Sequence, residues 1–225
     1  MKRTILSWSS GKDSAWTLHV LRQSATHEVV ALLTTITRDF DRVSMHGVRR
    51  ELVEAQAEAA GLAVWAVEIP AACTNADYEA AMRAAIERAR SEGVECIAFG
   101  DLFLRDIREY REQRLEGSGL QPLFPLWERP TRELADAMIA GGLRARLTCI
   151  DPRVMPRAFA GRDFDRELLS SLPPDIDPCG ERGEFHTFAY DGPMFSRAIP
   201  IVEGETIERD GFVFSDLRTS DHPGP

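Results

Sequence analysis

The sequence lacks any long apolar run. No stretch approaches the roughly 18 residues that a membrane-spanning helix needs. The first apolar run is short, and the polar segment "SWSSGKDS" follows it, so the amino terminus does not carry the apolar core of a signal peptide. These absences argue against a membrane-spanning or secreted class, and we expect a cytoplasmic protein with no membrane partner.

Cysteine is scarce and scattered. The four cysteines, none of them in a Cys-x-x-Cys pair, are Cys73, Cys96, Cys149 and Cys179. A disulfide framework needs closely spaced cysteines in a small secreted chain, and a structural zinc site needs paired ligands. The spacing suits neither, and we expect reduced thiols, most of them buried.

Positive charge is also in short supply. The chain has 27 Lys and Arg against 36 Asp and Glu, which gives a net charge of −9 and a pI near 5.1. This balance disfavours binding of a nucleic-acid backbone along a broad basic face. What is present, 225 residues with 44% hydrophobic and 28% charged content, describes a soluble globular chain of one large or two small domains. Small-molecule or protein substrates are therefore favoured over nucleic acid.

Strand and helix patterns alternate through the first half of the chain. Apolar, β-leaning runs are separated by segments with helical spacing, two of which end at Gly61 and Gly93. The predicted strands are 4–8, 28–35, 63–69 and 94–100, and the predicted helices are 13–22, 48–60 and 77–92, the last capped by Thr74 or Asn75. This alternation implies right-handed βαβ crossovers. The predicted fold is α/β, a doubly wound parallel sheet with helices on both faces.

The pattern changes after about Gly119. Three prolines in "LQPLFPLWERPT" resist both a regular helix and a central strand, so we place a domain boundary there and predict domains 1–122 and 123–225. Beyond it we predict helices 132–140 and 164–172, a strand 143–150 and a hairpin around Asp210-Gly211. The second domain is thus a smaller α+β unit, and the tail "DHPGP" is expected to fray.

The turn "SSGKDS" between the first strand and the first helix has the composition of an anion site. Unpaired backbone N–H groups and the positive end of the helix dipole would face the ligand there. The contributing residues are Ser9, Ser10, Gly11, Lys12, Asp13 and Ser14, with Lys12 as a mobile positive charge and Asp13 as a Mg²⁺ ligand. The alternative is an ordinary αβ turn whose Ser or Asp caps the helix.

Known nucleotide motifs narrow this choice. Gly11-Lys12 is followed by Asp13 and not by Ser or Thr, so the turn is not a Walker A loop. The turn resembles the PP-loop, Ser-Gly-Gly-x-Asp-Ser, of the N-type ATP pyrophosphatases, with Ser10 in place of the first glycine. Further along, "SMHGVRRELVEAQA", "FGDL", "GLQPLFPLW" and "DPCGERGEFHTFAYDGP" resemble, in order, the signatures of the diphthine ammonia ligase family.

The resemblance implies a function and a set of site residues. It implies a PP-loop ATP-binding domain that uses ATP and Mg²⁺ to adenylate a substrate carboxylate, releasing pyrophosphate, and then transfers ammonia to form an amide and AMP. Lys12 would be catalytic in the PP-loop, and Thr35, His46 and Gly100 would contact the nucleotide or substrate. Asp101 follows a predicted strand, so we expect it to bind Mg²⁺ beside Asp13.

For ammonia capture, the segment "DPCGERGEFHT" supplies carboxylates beside a histidine. We assign Glu184 first, with Glu181 and His186 in support, and treat Cys179 as packing. Alternatives remain open: His46 and Asp101 could be caps, and the glutamates could cap turns at the domain interface. The arginines of "LRDIREYREQRLEG" are mostly expected to form surface ion pairs, while one or two could clamp an anionic substrate.

The acceptor is a separate question. In the diphthine-modifying members, as the resemblance runs, an Arg-Val-Glu-x-Val-Cys pattern precedes the position of Gly119-Leu120, where this chain has "YREQRLEGS". We therefore expect a related amide ligase with a small-molecule acceptor, and leave a homodimer open. The rivals are a role in cobalamin salvage, a tRNA sulfurtransferase, which the missing Cys-x-x-Cys disfavours, and an ATP sensor.

Overall fold

The computed structural model describes residues 1–44 and 46–220, and the predicted frayed tail lies outside them. The chain forms two sheets. The elements of the first part are β1 Lys2–Ser7, α1 Lys12–Gln23, β2 His27–Thr37, β3 Arg42–Val43, α2 Arg50–Ala60, β4 Ala63–Ile69, α3 Asn75–Ser91, β5 Cys96–Ala98, α4 Arg105–Leu115 and β6 Gln121–Leu123.

The first sheet has β1 at its centre. Strand β1 pairs in parallel with β2 on one side and with β5 on the other, β2 also pairs in parallel with β4, and β5 with β6. The short β3 pairs antiparallel with the end of β2. The chain therefore winds outward from β1 in one direction and then in the other. This confirms the predicted doubly wound α/β fold.

Alternating side chains of the strands supply the two faces of this sheet. Leu6 and Ala98 belong to a core shared with helices α1 and α2, whereas Ile5 and Ile97 belong to a second core with α3 and α4. Helices thus cover both faces, as the continuous apolar runs of the strands require. Capping is as predicted for α2, which ends at Gly61 in the left-handed conformation, and Thr74 forms a capping box at the start of α3.

The second sheet is antiparallel, in the order β8-β7-β10-β9. The elements of the second part of the chain are α5 Thr131–Ala140, β7 Arg144–Ile150, a 3₁₀ turn Arg157–Phe159, α6 Arg166–Ser171, β8 Phe185–Asp191, β9 Ile201–Arg209 and β10 Phe212–Thr219. The predicted hairpin is confirmed, because Asp210 and Gly211 both have positive φ and join β9 to β10.

Three strands were not predicted: the two-residue β3, and β6 and β8. The segment that we interpreted as a site loop continues into β8, where Phe185 and Phe188 are fully buried. The proline-rich segment contains the short edge strand β6, and Pro122 is tolerated because it lies at the edge of the sheet. The errors at β6 and β8 arise because polar or proline residues interrupt the sequence signal, while tertiary pairing decides the local structure.

The two sheets share one hydrophobic core. The larger core cluster joins Leu6 and Trp8 of the first part with Phe185, Phe188 and Val213 of the second. The boundary between 122 and 123 stays a prediction, since the two units bury their apolar faces against one another. Within the described ranges, no helix combines the length and the apolar character that a membrane crossing needs.

Asp216 on β10 links the two units electrostatically. Its carboxylate accepts from Arg42 at 2.8 Å and from Arg49 at 2.7 Å, both in the first part of the chain. Burial raises the pKa of Asp216, but the hydrogen bonds from Arg49 and Arg42 outweigh it, so the pKa lies below its ordinary value. The ion pairs therefore stabilise the folded state fully at pH values above the ordinary pKa of an aspartate. This stabilisation is lost as the pH falls through the lowered pKa of Asp216.

We predict that Asp216→Asn lowers the free energy of unfolding at pH 7 by about 2 kcal/mol, because two charge-assisted hydrogen bonds weaken. Urea denaturation followed by circular dichroism measures this difference. The deficit should shrink as the pH is lowered below about 4. Asp210→Asn at the exposed hairpin turn is the control and should change little; an equal effect of the two substitutions would contradict the account.

Candidate active site

A cavity of about 220 Å³ lies at the carboxyl ends of β1 and β5. These two neighbouring strands flank the switch point, where the strand order of the first sheet reverses direction. Residues 179–187 of the second part form its opposite wall. The cavity is lined by ten of the predicted site residues: Ser9, Gly11, Lys12, Asp13, Ser14, His46, Gly100, Asp101, Glu181 and His186. The remaining three, Ser10, Thr35 and Glu184, lie elsewhere.

The predicted PP-loop leads into α1 with its backbone open to the cavity. Gly11 is the N-cap residue, and within the described part of the chain no side chain caps the helix at that position. The Lys12 N–H donates to the hydroxyl of Thr187 at 3.0 Å. Gly100 packs closely against this turn. A Cβ atom at position 100 would lie only 3.1 Å from the backbone nitrogen of Ser14. The first turn of α1 is thus well placed to present N–H groups to an anion.

Ser10 contributes its backbone and not its hydroxyl. It is fully buried and has a φ of 69°, a left-handed conformation that costs a non-glycine residue roughly 1–2 kcal/mol. Its carbonyl accepts from the Ala189 N–H on β8 and from the Gln56 side chain, both at 2.9 Å. The Ser10 hydroxyl donates to the Ser9 carbonyl, so a contact from this side chain to the nucleotide stays a prediction that the geometry does not favour.

Gln56 connects three parts of the site. This side chain on α2 is fully buried; it accepts from the Trp8 indole at 2.8 Å and donates to the carbonyls of Ser10 and Ala189. Both amide hydrogens and the amide oxygen are used. Because an unsatisfied buried amide is costly, this network fixes the PP-loop against β8.

The Lys12 side chain is buried and has hydrogen-bond partners, whereas the sequence analysis described it as a mobile charge. Its ammonium group is buried and donates to the Asp13 carboxylate at 2.8 Å and to the Cys179 carbonyl. The rings of Phe164 and Phe185 lie 5.5 and 5.3 Å away. Burial lowers the pKa of Lys12, but the negative charge of Asp13 outweighs it and the pKa is raised, so the group stays protonated.

Asp13 has one free carboxylate oxygen. Its Oδ2 accepts from Lys12, whereas its Oδ1 is buried with no hydrogen-bond partner among the described residues. Burial raises the pKa of Asp13 against the opposing effect of the Lys12 cation. A buried, unpaired carboxylate oxygen in an anion site is a suitable ligand for a cation.

Asp101 reaches the cavity but is already paired. Arg111 of α4 holds its carboxylate through two hydrogen bonds of 2.6 and 3.1 Å. No group of three or more His, Cys, Asp or Glu side chains within 1–44 and 46–220 is placed to hold a metal ion. Mg²⁺ commonly uses one or two carboxylates together with phosphate oxygens, so Asp13 fits such an ion, and Asp101 as its ligand stays a prediction.

His46 and His186 are in contact near Lys12, with ring centroids 4.3 Å apart and ring planes tilted by 45°. Burial lowers the pKa of both rings, and Lys12 lowers them further; that of His186 falls to about 4, and that of His46 lies well below its ordinary value. Both imidazoles are therefore neutral at pH 7 and provide polar nitrogen atoms to the cavity without a charge.

Glu181 is the carboxylate of the second part that faces the cavity. Burial raises its pKa to about 7, although the Leu102 and Phe103 N–H groups, at 2.7 and 3.4 Å from its Oε1, oppose the rise. A carboxylate with a pKa near the working pH suits general acid–base chemistry. The role of Glu181 stays a prediction, and its position facing the cavity agrees with the assignment as a site residue.

Glu184, which we assigned first, has a structural position. Its two oxygens accept from the Asp177 and Arg182 N–H groups at 3.0 and 2.9 Å, and so close the turn 177–184. Asp177 accepts from the Cys179 N–H in the same turn. Glu184 as the catalytic base stays a prediction, and these contacts do not favour it, because its carboxylate is turned into the backbone of its own loop.

Two further residues singled out from the sequence are Thr35 and Cys179. Thr35 lies at the end of β2, where its carbonyl accepts from Ser44, and it stands outside the cavity wall. Cys179 is packed as expected, because its thiol is buried and burial raises its pKa. A thiol with a raised pKa is a poor nucleophile.

Comparisons with known proteins identify the family of this chain. A family model described as the diphthamide synthase N-terminal domain matches residues 1–122, and one described as the diphthamide synthase C-terminal domain matches residues 131–218. The chain belongs to the diphthamide synthase family. The resemblance inferred from the motifs is thereby confirmed.

Relatives of this diphthamide synthase family member are named diphthine–ammonia ligase. One from Schizosaccharomyces pombe is 26% identical over 89% of this chain, which spans only 36% of that protein. One from Danio rerio is 27% identical over 93% of this chain and 90% of its own length. A solved U34-tRNA thiolase from Methanococcus maripaludis has a TM-score of 0.39 and 16% identity over 62% of this chain and 56% of that chain, a likeness too low to bear on function.

Sequence reasoning missed two residues that hold the site of this family member together. Gln56 falls on the buried face of α2 beside Leu52 and Val53, and a polar residue on an apolar stripe was the available signal. Thr187, whose hydroxyl accepts from the Lys12 N–H, lies in a strand that was not predicted. Neither partner could be identified from sequence, because both contacts join distant parts of the chain.

We predict that Gln56→Leu lowers the free energy of unfolding by about 3 kcal/mol, because buried hydrogen-bonding groups lose their partner. It should also weaken ATP binding, measured by isothermal titration calorimetry below the melting temperature. Gln23→Leu on the exposed end of α1 is the control. Adding Ser10→Gly should restore much of the ATP affinity, since glycine adopts the left-handed conformation without strain; no recovery would contradict the role given to Gln56.

The environment of Lys12 predicts its reactivity. Acylation of an amine needs the neutral, accessible form, which a buried ammonium group with a raised pKa does not provide. Brief treatment of the native protein with an N-hydroxysuccinimide ester should modify the exposed Lys2 and leave Lys12 intact until the protein is unfolded. Peptide mass spectrometry measures both sites in one sample, and equal labelling of the two lysines would contradict the structure.

Proposed function

We propose that this chain is an ATP-dependent amide ligase of the diphthine ammonia ligase type, which adenylates a substrate carboxylate and transfers ammonia to it. The observation that carries the proposal is the single cavity that combines the open first turn of α1 with the Glu181 carboxylate. The family assignment and the names of the relatives support it.

In the proposed mechanism, the phosphates of ATP bind at the amino end of α1. The backbone N–H groups there and the Lys12 cation stabilise negative charge that develops during the reaction. Asp13 would hold Mg²⁺ through its unpaired Oδ1, and this ion neutralises polyphosphate charge when bound. Lys12 is held by Asp13 and Cys179, so its charge is already oriented before the substrate enters.

The first chemical step forms the acyl adenylate. A carboxylate oxygen of the acceptor attacks the α-phosphorus, the bond from that phosphorus to the bridging oxygen breaks, and pyrophosphate leaves. The aromatic walls formed by Phe164 and Phe185 exclude water around Lys12, which strengthens the electrostatic interactions in this region.

The second step forms the amide. The nitrogen of ammonia attacks the acyl carbon, AMP leaves with the bonding electron pair, and the surplus proton goes to the Glu181 carboxylate. A pKa of about 7 allows Glu181 to be deprotonated often enough to accept this proton and to release it afterwards. The neutral His46 and His186 rings avoid repelling an ammonium ion that enters the cavity.

The proposal is tested by the products of ATP turnover. Purified protein is incubated with Mg²⁺, ATP, and either diphthine or a small-metabolite extract, with and without ammonium. The proposal predicts AMP and pyrophosphate that depend on ammonium and are lost in Lys12→Ala. Formation of ADP, or AMP release indifferent to ammonium, would contradict it.

The pKa of Glu181 predicts a pH profile. At a fixed concentration of free ammonia, the rate of AMP formation should rise through about pH 7 and then level off, because deprotonated Glu181 is the active form. Glu181→Gln should lower the rate about 100-fold and abolish this rise.

Glu184→Gln is the matched control on the same loop. It should lower the melting temperature, because its oxygens accept from backbone N–H groups, and it should keep the midpoint near pH 7. A midpoint that moves in Glu184→Gln but stays in Glu181→Gln would reverse the assignment.

A further inference from the structure

A second cavity, of about 320 Å³, lies between α3 and α4 on the face of the first sheet away from α1. Its floor is formed by Ile97 and Phe99 of the sheet, and Met82, Ile86 and Leu115 line its sides. Its volume lies within the usual range of small-molecule sites, roughly 300–1,000 Å³, whereas the first cavity is smaller than that range. We call this second cavity the α3–α4 groove.

Arg111 lines both cavities. Its guanidinium group lies 4.5 Å from the centre of the Phe99 ring and holds the Asp101 carboxylate with two hydrogen bonds. The Asp101–Arg111 pair therefore stands between the PP-loop cavity and the α3–α4 groove. Asp101 occupies Nε and Nη2 of this guanidinium and Phe99 covers its face, so that within the described residues Nη1 is the nitrogen left to donate to a second carboxylate.

We infer that the α3–α4 groove binds the body of the acceptor and that Arg111 holds the carboxylate which is to be adenylated. The inference rests on the proposed function, because only an adenylating enzyme needs a carboxylate at this boundary. The ligand class that fits is a molecule with an apolar or aromatic body, contacting Phe99 and Met82, and an anionic group at one end.

The charges around the groove agree with this class. Four arginines line the groove, Arg83, Arg90, Arg111 and Arg114, against three glutamates, Glu79, Glu87 and Glu116, and Arg114 is paired with Glu79. An apolar floor below several guanidinium groups suits an anionic amphiphile. Of the four α4 arginines in the sequence motif, Arg111 is therefore the one whose position suits clamping a substrate anion.

The test uses 8-anilinonaphthalene-1-sulfonate as the probe, since it has an aromatic body and one anionic group and becomes fluorescent in apolar sites. The wild-type protein should bind it saturably. Met82→Glu should weaken binding about tenfold and Met82→Lys should strengthen it, because the two substitutions place opposite charges in the groove. If the substitutions acted only through lost packing, the probe affinity of both variants would change in the same direction.

Matched controls lie on the same two helices. Ala84→Glu is on the exposed face of α3, and Arg108→Met on α4 removes a guanidinium that packs on Phe124 and Trp127 outside the groove. Both should leave probe binding unchanged, whereas Arg111→Met should weaken it about tenfold. ATP binding, measured separately, should be retained in the Met82 variants.

The inference is overturned if the wild-type protein does not bind the probe, or if Met82→Glu and Met82→Lys change its affinity equally. Probe binding is independent of catalysis, so it separates this inference from the proposed function. If ATP turnover fails but the probe follows the predicted charge dependence, the groove is an anion-binding site and the amide ligase proposal alone falls. An acceptor that supports AMP formation without displacing the probe would contradict the groove as the acceptor site.

Discussion

The site depends on the hydrogen bonds that hold the carbonyl of Ser10. A buried serine in a left-handed conformation is unfavourable by itself, and two donors on other elements, the Ala189 N–H and the Gln56 amide, hold it in place. The PP-loop is therefore shaped by the second sheet as much as by its own sequence. The two sheets also share one hydrophobic core, and this fixes the position of the PP-loop relative to β8.

The burial of Lys12 has the same origin. Lys12 follows the loop directly, and its ammonium group is held by Asp13 from the first unit and by the Cys179 carbonyl from the second. A lysine buried without partners would lose its proton, whereas these partners keep it charged. The lowered pKa values of His46 and His186 follow in part from that retained charge, together with their burial. Burial is thus the main cause of these lowered pKa values, and the Lys12 cation adds to it for both histidines.

The sequence predicted much of the fold, because local signals and tertiary structure agree there. The strand–helix alternation, the Gly61 stop and the Asp210-Gly211 hairpin are all local features, and they are found as predicted. The site was predicted at the level of motifs, since a PP-loop and the strand ends of a doubly wound sheet must meet at one edge.

The roles of individual side chains were harder to predict. Glu181 and Glu184 belong to the same short segment, and only the folded turn shows that one faces the cavity while the other binds its own backbone. Gln56 and Thr187 act through contacts more than 40 residues away in the chain. Such contacts have no local signal, so a single sequence does not reveal them.

The most direct test of the account is a crystal structure with Mg²⁺ and α,β-methylene ATP, which cannot be cleaved between its α and β phosphates. The account predicts the triphosphate at the amino end of α1, with the metal ion on Asp13 and Glu181 facing the α-phosphate. A nucleotide bound away from the first turn of α1, or phosphates separated from Glu181 by the wall of the cavity, would contradict it.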